Sequence, residues 1–167
     1  TFVGTEVYKK TLGIVGLGKI GSHVAGVAKA MGMKLLAFDP FISTERAEQM
    51  GVQLVDMDLL VQQADYITLH IPKTPETTHL INAEMLAKMK PNARIINCAR
   101  GGIIDAEALA TALKEGKIKG AALDVYESEP LGESPLKTLG KEVVLTPHLG
   151  ASTTEAQVNV AIAVAEQ

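Results

Sequence analysis

The sequence predicts an α/β fold: a Rossmann-like layering in which a doubly wound, mainly parallel sheet carries helices on both faces. Three observations predict it. Short, near-continuous apolar runs alternate with stretches of helical apolar spacing, and strands apolar along their whole length are those buried on both faces. A glycine-rich turn joins the first apolar run to the first helical stretch. Helix-capping and helix-ending residues then recur between the later runs. A chain of 167 residues suits one domain with a sizeable core.

The elements follow in order. Residues 11–16 (TLGIVG) read as a buried strand, and Ile20, Val24, Val27, Ala28 and Met31 recur at helical spacing after it. Residues 34–38 (KLLAF) form a second strand. Ser43 can cap a short helix to Met50, with Gly51 at its end. A short strand at 52–55 and a short helix at 57–63 come next. Residues 66–71 (YITLHI) make another strand, stopped by Pro72. A helix at 83–89, a strand at 94–98 and a helix from the Asp105 cap to Lys114 follow, with Gly116 just beyond. Strands at 120–125 and 143–146 complete the sheet. In the last segment Val158, Ala161, Ile162 and Ala165 form an apolar stripe.

Composition narrows the function classes. Only 4% of residues are aromatic and none is Trp, so Ile, Val, Leu, Ala and Met must fill the core. The net charge is −3 with no basic run, which argues against nucleic acid as a partner, because phosphate-backbone binding needs clustered Lys and Arg. A single Cys excludes an internal disulfide and suits a reducing, cytoplasmic compartment. No apolar run is long enough to span a bilayer and no signal-peptide pattern is present, so no membrane partner is expected. The chain begins at Thr1, and its last apolar helix runs to Gln167 without Gly or Pro. Residues 1–167 are therefore expected to be one domain excised from a longer chain.

Gly16-Leu17-Gly18-Lys19-Ile20-Gly21 matches GxGxxG. The string follows an apolar strand and opens an amphipathic helix, the context that dinucleotide binding requires. Gly16 allows a tight turn, Gly18 lets backbone approach a pyrophosphate, and Gly21 lets the helix pack close to the strand. The helix N-terminus offers free N–H groups and a positive dipole end to the phosphates. Asp39 ends the second strand, eighteen residues past Gly21. A carboxylate there can accept from ribose hydroxyls and repels a 2′-phosphate, so NAD is expected rather than NADP.

Further residues stand at the ends of the later strands, where open α/β sheets place ligands. Arg100, before Gly101 and Gly102, could clamp a carboxylate by a bidentate pair. His148 could form an acid/base pair with Glu129, and Glu127 and Glu133 compete with Glu129 for that role. His70, at a strand end, is a weaker rival to His148. His23 reads as solvated, His79 as incidental, and Cys98 as a small strand-end residue with no adjacent base. Among His, Cys and Asp no metal-ligand spacing occurs, so no metal is expected.

GLGKIG, NCARGGIID, LDVYESEP and PHLGAS occur in that order, from about Thr11 to the C-terminus. With these motifs the chain resembles the D-isomer-specific 2-hydroxyacid dehydrogenases. The resemblance implies a catalytic set of Arg100, Glu129 and His148. It also implies a cofactor lining of Lys19, Ile20, Asp39, Ile71, Cys98, Ala99, Arg100, Asp124, His148, Leu149, Gly150 and Ala151, beside Gly16, Gly18 and Gly21. Family members often carry Thr where Ile71 stands, so that contact would be through backbone, and Lys19 replaces a frequent Arg. In the implied chemistry His148 exchanges the proton on the substrate oxygen, Glu129 stabilises the charged imidazole, Arg100 holds the substrate carboxylate or polarises the carbonyl, and Asp124 bonds the nicotinamide carboxamide.

Within the family, NCARGGIID and PHLGASTTEAQ resemble the branch that oxidises D-3-phosphoglycerate to 3-phosphohydroxypyruvate in serine biosynthesis, which implies a phosphorylated 2-hydroxy acid as substrate. Competing expectations are a glyoxylate, hydroxypyruvate or lactate enzyme, and a non-enzymatic, corepressor-like NAD sensor. The resemblance further implies a flanking substrate domain absent from this chain, a homo-oligomer, and poor turnover by the domain alone.

Overall fold

The computed structural model describes residues 4–150 and 152–165. Seven strands form one parallel sheet in the order β3-β2-β1-β4-β5-β6-β7. They are β1 (Thr11–Val15), β2 (Lys34–Phe38), β3 (Gln53–Leu54), β4 (Tyr66–Leu69), β5 (Arg94–Asn97), β6 (Gly120–Leu123) and β7 (Val143–Leu145). The helices between and after them are α1 (Lys19–Ala30), α2 (Thr44–Met50), α3 (Met57–Gln63), α4 (Ala83–Lys88), α5 (Ala106–Lys114) and α6 (Thr154–Ala165). The doubly wound architecture expected from the alternating pattern is the one observed.

The pleat divides the side chains of β1, β2 and β4 between two cores. Leu12 and Ile14 of β1 and Leu35 and Ala37 of β2 pack with Ala25 and Ala28 of α1 and Ala47 of α2. Val15, Ile67, Leu69 and Ile95 turn to the other face, where α3, α4 and α5 supply Leu60, Leu86 and Leu109. Alternation by single residues is what a two-residue side-chain period dictates. Gly13 permits close approach of α3, since a Cβ there would stand 2.6 Å from Leu60 Cδ2.

Local caps fix the helix starts. Ser43, Asp56, Asn82 and Asp105 each accept a backbone N–H of the first turn, each such cap being worth roughly 1 kcal/mol. Gly51 ends α2 at φ +76, the left-handed conformation that favours glycine. Strands β4, β5, β6 and β7 stop one or two residues short of their expected ends. At this edge Asn97 and Asp124 turn their side chains onto neighbouring loop backbone, and the ladder gives way to loop. The sequence reading did not anticipate a 3-10 turn at Pro135–Thr138, capped by Ser134.

The stripe expected on the last helix is a broader apolar surface: Val158, Val160, Ile162 and Val164 are each at least half exposed. No helix among the described residues is long and apolar enough to cross a membrane. Strands β1 and β4 lie side by side although β2 and β3 intervene in sequence. Their connections leave in opposite directions, which opens a crevice at the strands' C-terminal edge.

Candidate active site

The glycine loop occupies that crevice, and its three glycines face different surroundings. Gly16 adopts φ +95, donates its N–H to Phe38 O at 2.9 Å, and approaches β4 so closely that a Cβ would lie 2.8 Å from His70 O. A Cβ on Gly21 would overlap the Gly16 carbonyl oxygen. These two glycines are required by the protein's own packing. Gly18 differs, since a Cβ there would meet nothing within 4 Å. It caps α1 with no side-chain hydrogen bond, so the first-turn N–H groups face open space at the positive end of the helix dipole. An uncapped helix end beside empty volume is the cradle a pyrophosphate fits. Lys19 and Ile20 are exposed at its rim, and the half-buried Ile71 packs against Gly16.

Asp39 is tied to the same loop. Its Oδ2 accepts from Leu17 N–H at 2.7 Å and its Oδ1 from Phe41 N–H at 2.9 Å. The carboxylate is thus held at the end of β2, next to the phosphate cradle.

Three neighbouring strands deliver the second group of residues. Beyond β5, the buried Asn97 side chain donates to Arg100 O at 2.9 Å and accepts from Ala99 N–H at 3.0 Å. This shapes the turn that exposes Arg100, whose Nη1 donates to Ala99 O at 2.6 Å. Gly101 packs directly on the Tyr126 carbonyl, joining the β5 and β6 loops. Beyond β6, Glu129 Oε1 accepts from Tyr126 N–H at 3.0 Å. Beyond β7, His148 Nδ1 lies 2.6 Å from Glu129 Oε2. The imidazole first, and the Tyr126 amide second, hold the Glu129 carboxyl below the usual range. His148 sits at φ +54, a strained backbone that costs on the order of 1–3 kcal/mol and persists only where its surroundings fix it.

Those surroundings centre on Asp124, which is 6% exposed. Its Oδ1 accepts from Thr146 Oγ1 at 2.6 Å and Leu149 N–H at 2.8 Å, and its Oδ2 accepts from Gly150 N–H at 3.0 Å. The Thr146 hydroxyl and the two amides outweigh the cost of burial and hold this carboxyl below its ordinary value. The Tyr126 hydroxyl donates to Thr146 O at 2.7 Å and approaches Leu123 O at 3.1 Å.

Of the three glutamates in contention, Glu129 reaches His148. Glu127 instead pairs with His79 at 2.9 Å, a partner the sequence reading did not foresee for that histidine. Glu133 lines a separate cavity of about 390 Å³ beneath the 127–136 loop, away from the glycine loop. His70 Nε2 meets Thr68 Oγ1 at 3.0 Å, and burial pushes its imidazole down towards the neutral form. His23 is exposed on α1. Partial burial first, then the Asp124 charge, push the Cys98 thiol up, away from a nucleophilic thiolate. Ala151 lies outside the described residues. Sequence reasoning missed Asn97, Tyr126 and Thr146 as site-shaping residues. The available signal was a polar side chain at the end of β5, Asn97, and directly after β7, Thr146, whereas Tyr126 lies three residues past β6.

The sequence pattern of the D-isomer specific 2-hydroxyacid dehydrogenase NAD binding domain matches residues 1–150. The chain belongs to that family. A D-3-phosphoglycerate dehydrogenase of Synechocystis is 76% identical over 166 residues, covering 99% of this chain and 30% of the relative. A D-3-phosphoglycerate dehydrogenase of Methanocaldococcus jannaschii is 57% identical, covering 99% of this chain and 32% of the relative. The chain thus spans about a third of the length of the curated relatives it matches. Among solved structures, the NAD-complexed form of a D-isomer specific 2-hydroxyacid dehydrogenase from Lactobacillus delbrueckii superposes with a TM-score of 0.80 at 34% identity, covering 98% of this chain and 56% of that one.

Proposed function

We propose that this NAD-binding domain supplies the cofactor site and the acid–base machinery for oxidation of D-3-phosphoglycerate to 3-phosphohydroxypyruvate, the first step of serine biosynthesis. The observation that carries the reading is the Glu129–His148 pair, closed at 2.6 Å on the same sheet edge as a glycine loop with an open helix end. The two relatives named D-3-phosphoglycerate dehydrogenase support the choice of substrate.

Each residue's role follows from its chemistry. The N–H groups at the start of α1 hold the pyrophosphate, with Lys19 adding a point charge. Asp39 accepts from the adenosine ribose hydroxyls and repels a 2′-phosphate, which selects NAD. Bound NAD would supply the hydride acceptor for the substrate carbon, and NADH the hydride in the reductive direction. Glu129 occupies Nδ1 of His148 and leaves Nε2 for the substrate. In oxidation, Nε2 takes the hydroxyl proton as the carbonyl forms; in reduction it gives the proton back. Glu129 stabilises the imidazolium produced. Arg100, exposed on its glycine turn, binds the substrate carboxylate. Cys98, Ala99, Leu149 and Gly150 would line the cofactor. Adjoining sequence of the kind that makes the relatives longer would close the cleft over the substrate, so the isolated domain binds NADH and turns over slowly.

The test is NADH oxidation by a chain of the relatives' full length, offered 3-phosphohydroxypyruvate, glyoxylate, hydroxypyruvate and pyruvate in parallel. Preference for the phosphorylated acid is the expected result. Preference for an unphosphorylated one would overturn the substrate and leave the acid–base assignment standing.

A further inference from the structure

We infer that Thr146 is a positioning residue for His148: its hydroxyl, bonded to Asp124, fixes the segment that holds the imidazole against Glu129. The inference rests on the acid–base role proposed for that pair.

Thr146 directly follows β7 and is half-buried. Five hydrogen bonds meet on this one residue, the longest a contact of its hydroxyl with Leu123 O at 3.5 Å. Its N–H donates to Leu123 O at 3.0 Å, and its hydroxyl donates to Asp124 Oδ1 at 2.6 Å. Its carbonyl accepts from His148 N–H at 3.1 Å and from the Tyr126 hydroxyl at 2.7 Å. On the far side of His148, the amides of Leu149 and Gly150 reach the same Asp124 carboxylate. His148 therefore spans a short arch whose two feet stand on one buried aspartate. The arch carries a positive φ at its top, and such a conformation persists only where neighbouring bonds over-determine it.

The hydroxyl is the bond at one foot that a side chain alone supplies. Without it, Asp124 Oδ1 keeps only the Leu149 amide and the carboxylate can turn. Members of a connected polar network depend on one another in this way. The imidazole then loses its fixed distance to Glu129, and with it the preference for a proton on Nδ1, because the partner of one ring nitrogen decides which nitrogen is protonated. A residue that merely stabilised the fold would not alter the tautomer of His148.

The experiment reads that tautomer directly in this chain, by nitrogen-15 NMR of labelled imidazoles at a pH where His148 is neutral. The four histidines are assigned with His148→Gln. Wild type is expected to show a single tautomer protonated at Nδ1. Thr146→Val, which keeps the shape and the carbonyl, is expected to give a mixture of tautomers and faster amide exchange at Leu149 and Gly150. Thr146→Ser, which restores the hydroxyl, is expected to return the wild-type pattern. Far-UV circular dichroism checks that each variant folds. Asp124→Asn approaches the same bond from the other end and should shift the tautomer the same way if Thr146→Val does not fold. An unchanged tautomer in Thr146→Val, or in Asp124→Asn where that variant stands in, overturns the inference, as does failure of Thr146→Ser to rescue. If wild type itself lacks the Nδ1 proton, the Glu129–His148 assignment falls with it, an outcome separate from a failure of the Thr146 role alone.

Discussion

The two ends of this sheet edge are built from different materials. At the β1–β2 end the site is backbone: a turn at Gly16, an uncapped helix at Gly18, and a carboxylate whose oxygens accept loop amides. Its form is dictated by the core, because Gly21 cannot carry a Cβ without striking Gly16. At the β5–β7 end the site is side chains on loops, with Asn97 shaping the β5 loop and Asp124, Tyr126 and Thr146 joining the β6 and β7 loops. Glu129 and His148 themselves are substantially exposed. Under the proposed roles, binding would be built into the fold, whereas proton transfer would be built onto it by a hydrogen-bonded arch.

That contrast can be broken most forcefully at His148. In a chain of the relatives' length, His148→Ala should lower turnover by roughly 10²–10⁴-fold, the usual range for a general acid–base group, while the melting temperature stays as it was, and Glu129→Gln, outside the cofactor lining, should lower turnover and leave NADH affinity as it was. A large fall in NADH affinity would show that the two ends are not separable. The glycines sharpen the other side. Gly21→Ala forces a clash with backbone and should destabilise the domain by about 1–3 kcal/mol in denaturant titration. Gly18→Ala meets no protein atom. It should leave stability nearly unchanged and weaken NADH about tenfold, or ~1.4 kcal/mol. If the two variants behave alike, Gly18 is structural and the cradle is misplaced.

A smaller effect is expected from charge. Asp39→Asn keeps the side chain's shape and removes the repulsion of a 2′-phosphate. The preference for NADH over NADPH should narrow by about 1 kcal/mol, the scale of two unit charges ~4 Å apart in water. An unaltered preference would remove Asp39 from cofactor selection. The smallest effect concerns pH. The Asp124 carboxyl lies below its ordinary value in the folded chain. Its contribution is therefore complete above the unfolded pKa and is lost as pH falls through the folded one. The Leu149 and Gly150 amide resonances should hold constant through the ordinary aspartate range near ~3.9 and move only in stronger acid. Movement at or above that range would contradict the Asp124 anchor.

Much of the fold was legible because glycine and cap residues act through local geometry. Ser43, Gly51 and Asp105 stand where their backbone tasks require, and GxGxxG between a strand and a helix admits few other readings. From spacing alone the candidate site was legible in types but not in pairs, and the family resemblance named Glu129 as the partner of His148. Glu127, Glu129 and Glu133 differ by a few positions on one loop, and only the path of that loop sends Glu129 to His148 and Glu127 to His79. The anchoring of residues 149 and 150 on Asp124 joins positions more than twenty apart in sequence, a distance that no local propensity spans. Strand ends were overrun for the same reason, since tertiary bonds rather than apolar pattern decide where β4 to β7 stop.

The most direct measurement is a titration of this chain with NADH, read by the emission of the bound nicotinamide, with Glu129→Gln alongside and NADPH as the competitor cofactor. The account predicts saturable NADH binding, weaker NADPH binding, and the same NADH affinity in Glu129→Gln as in wild type. Absence of saturable NADH binding, or binding that depends on Glu129, would contradict a cofactor site that the fold alone provides.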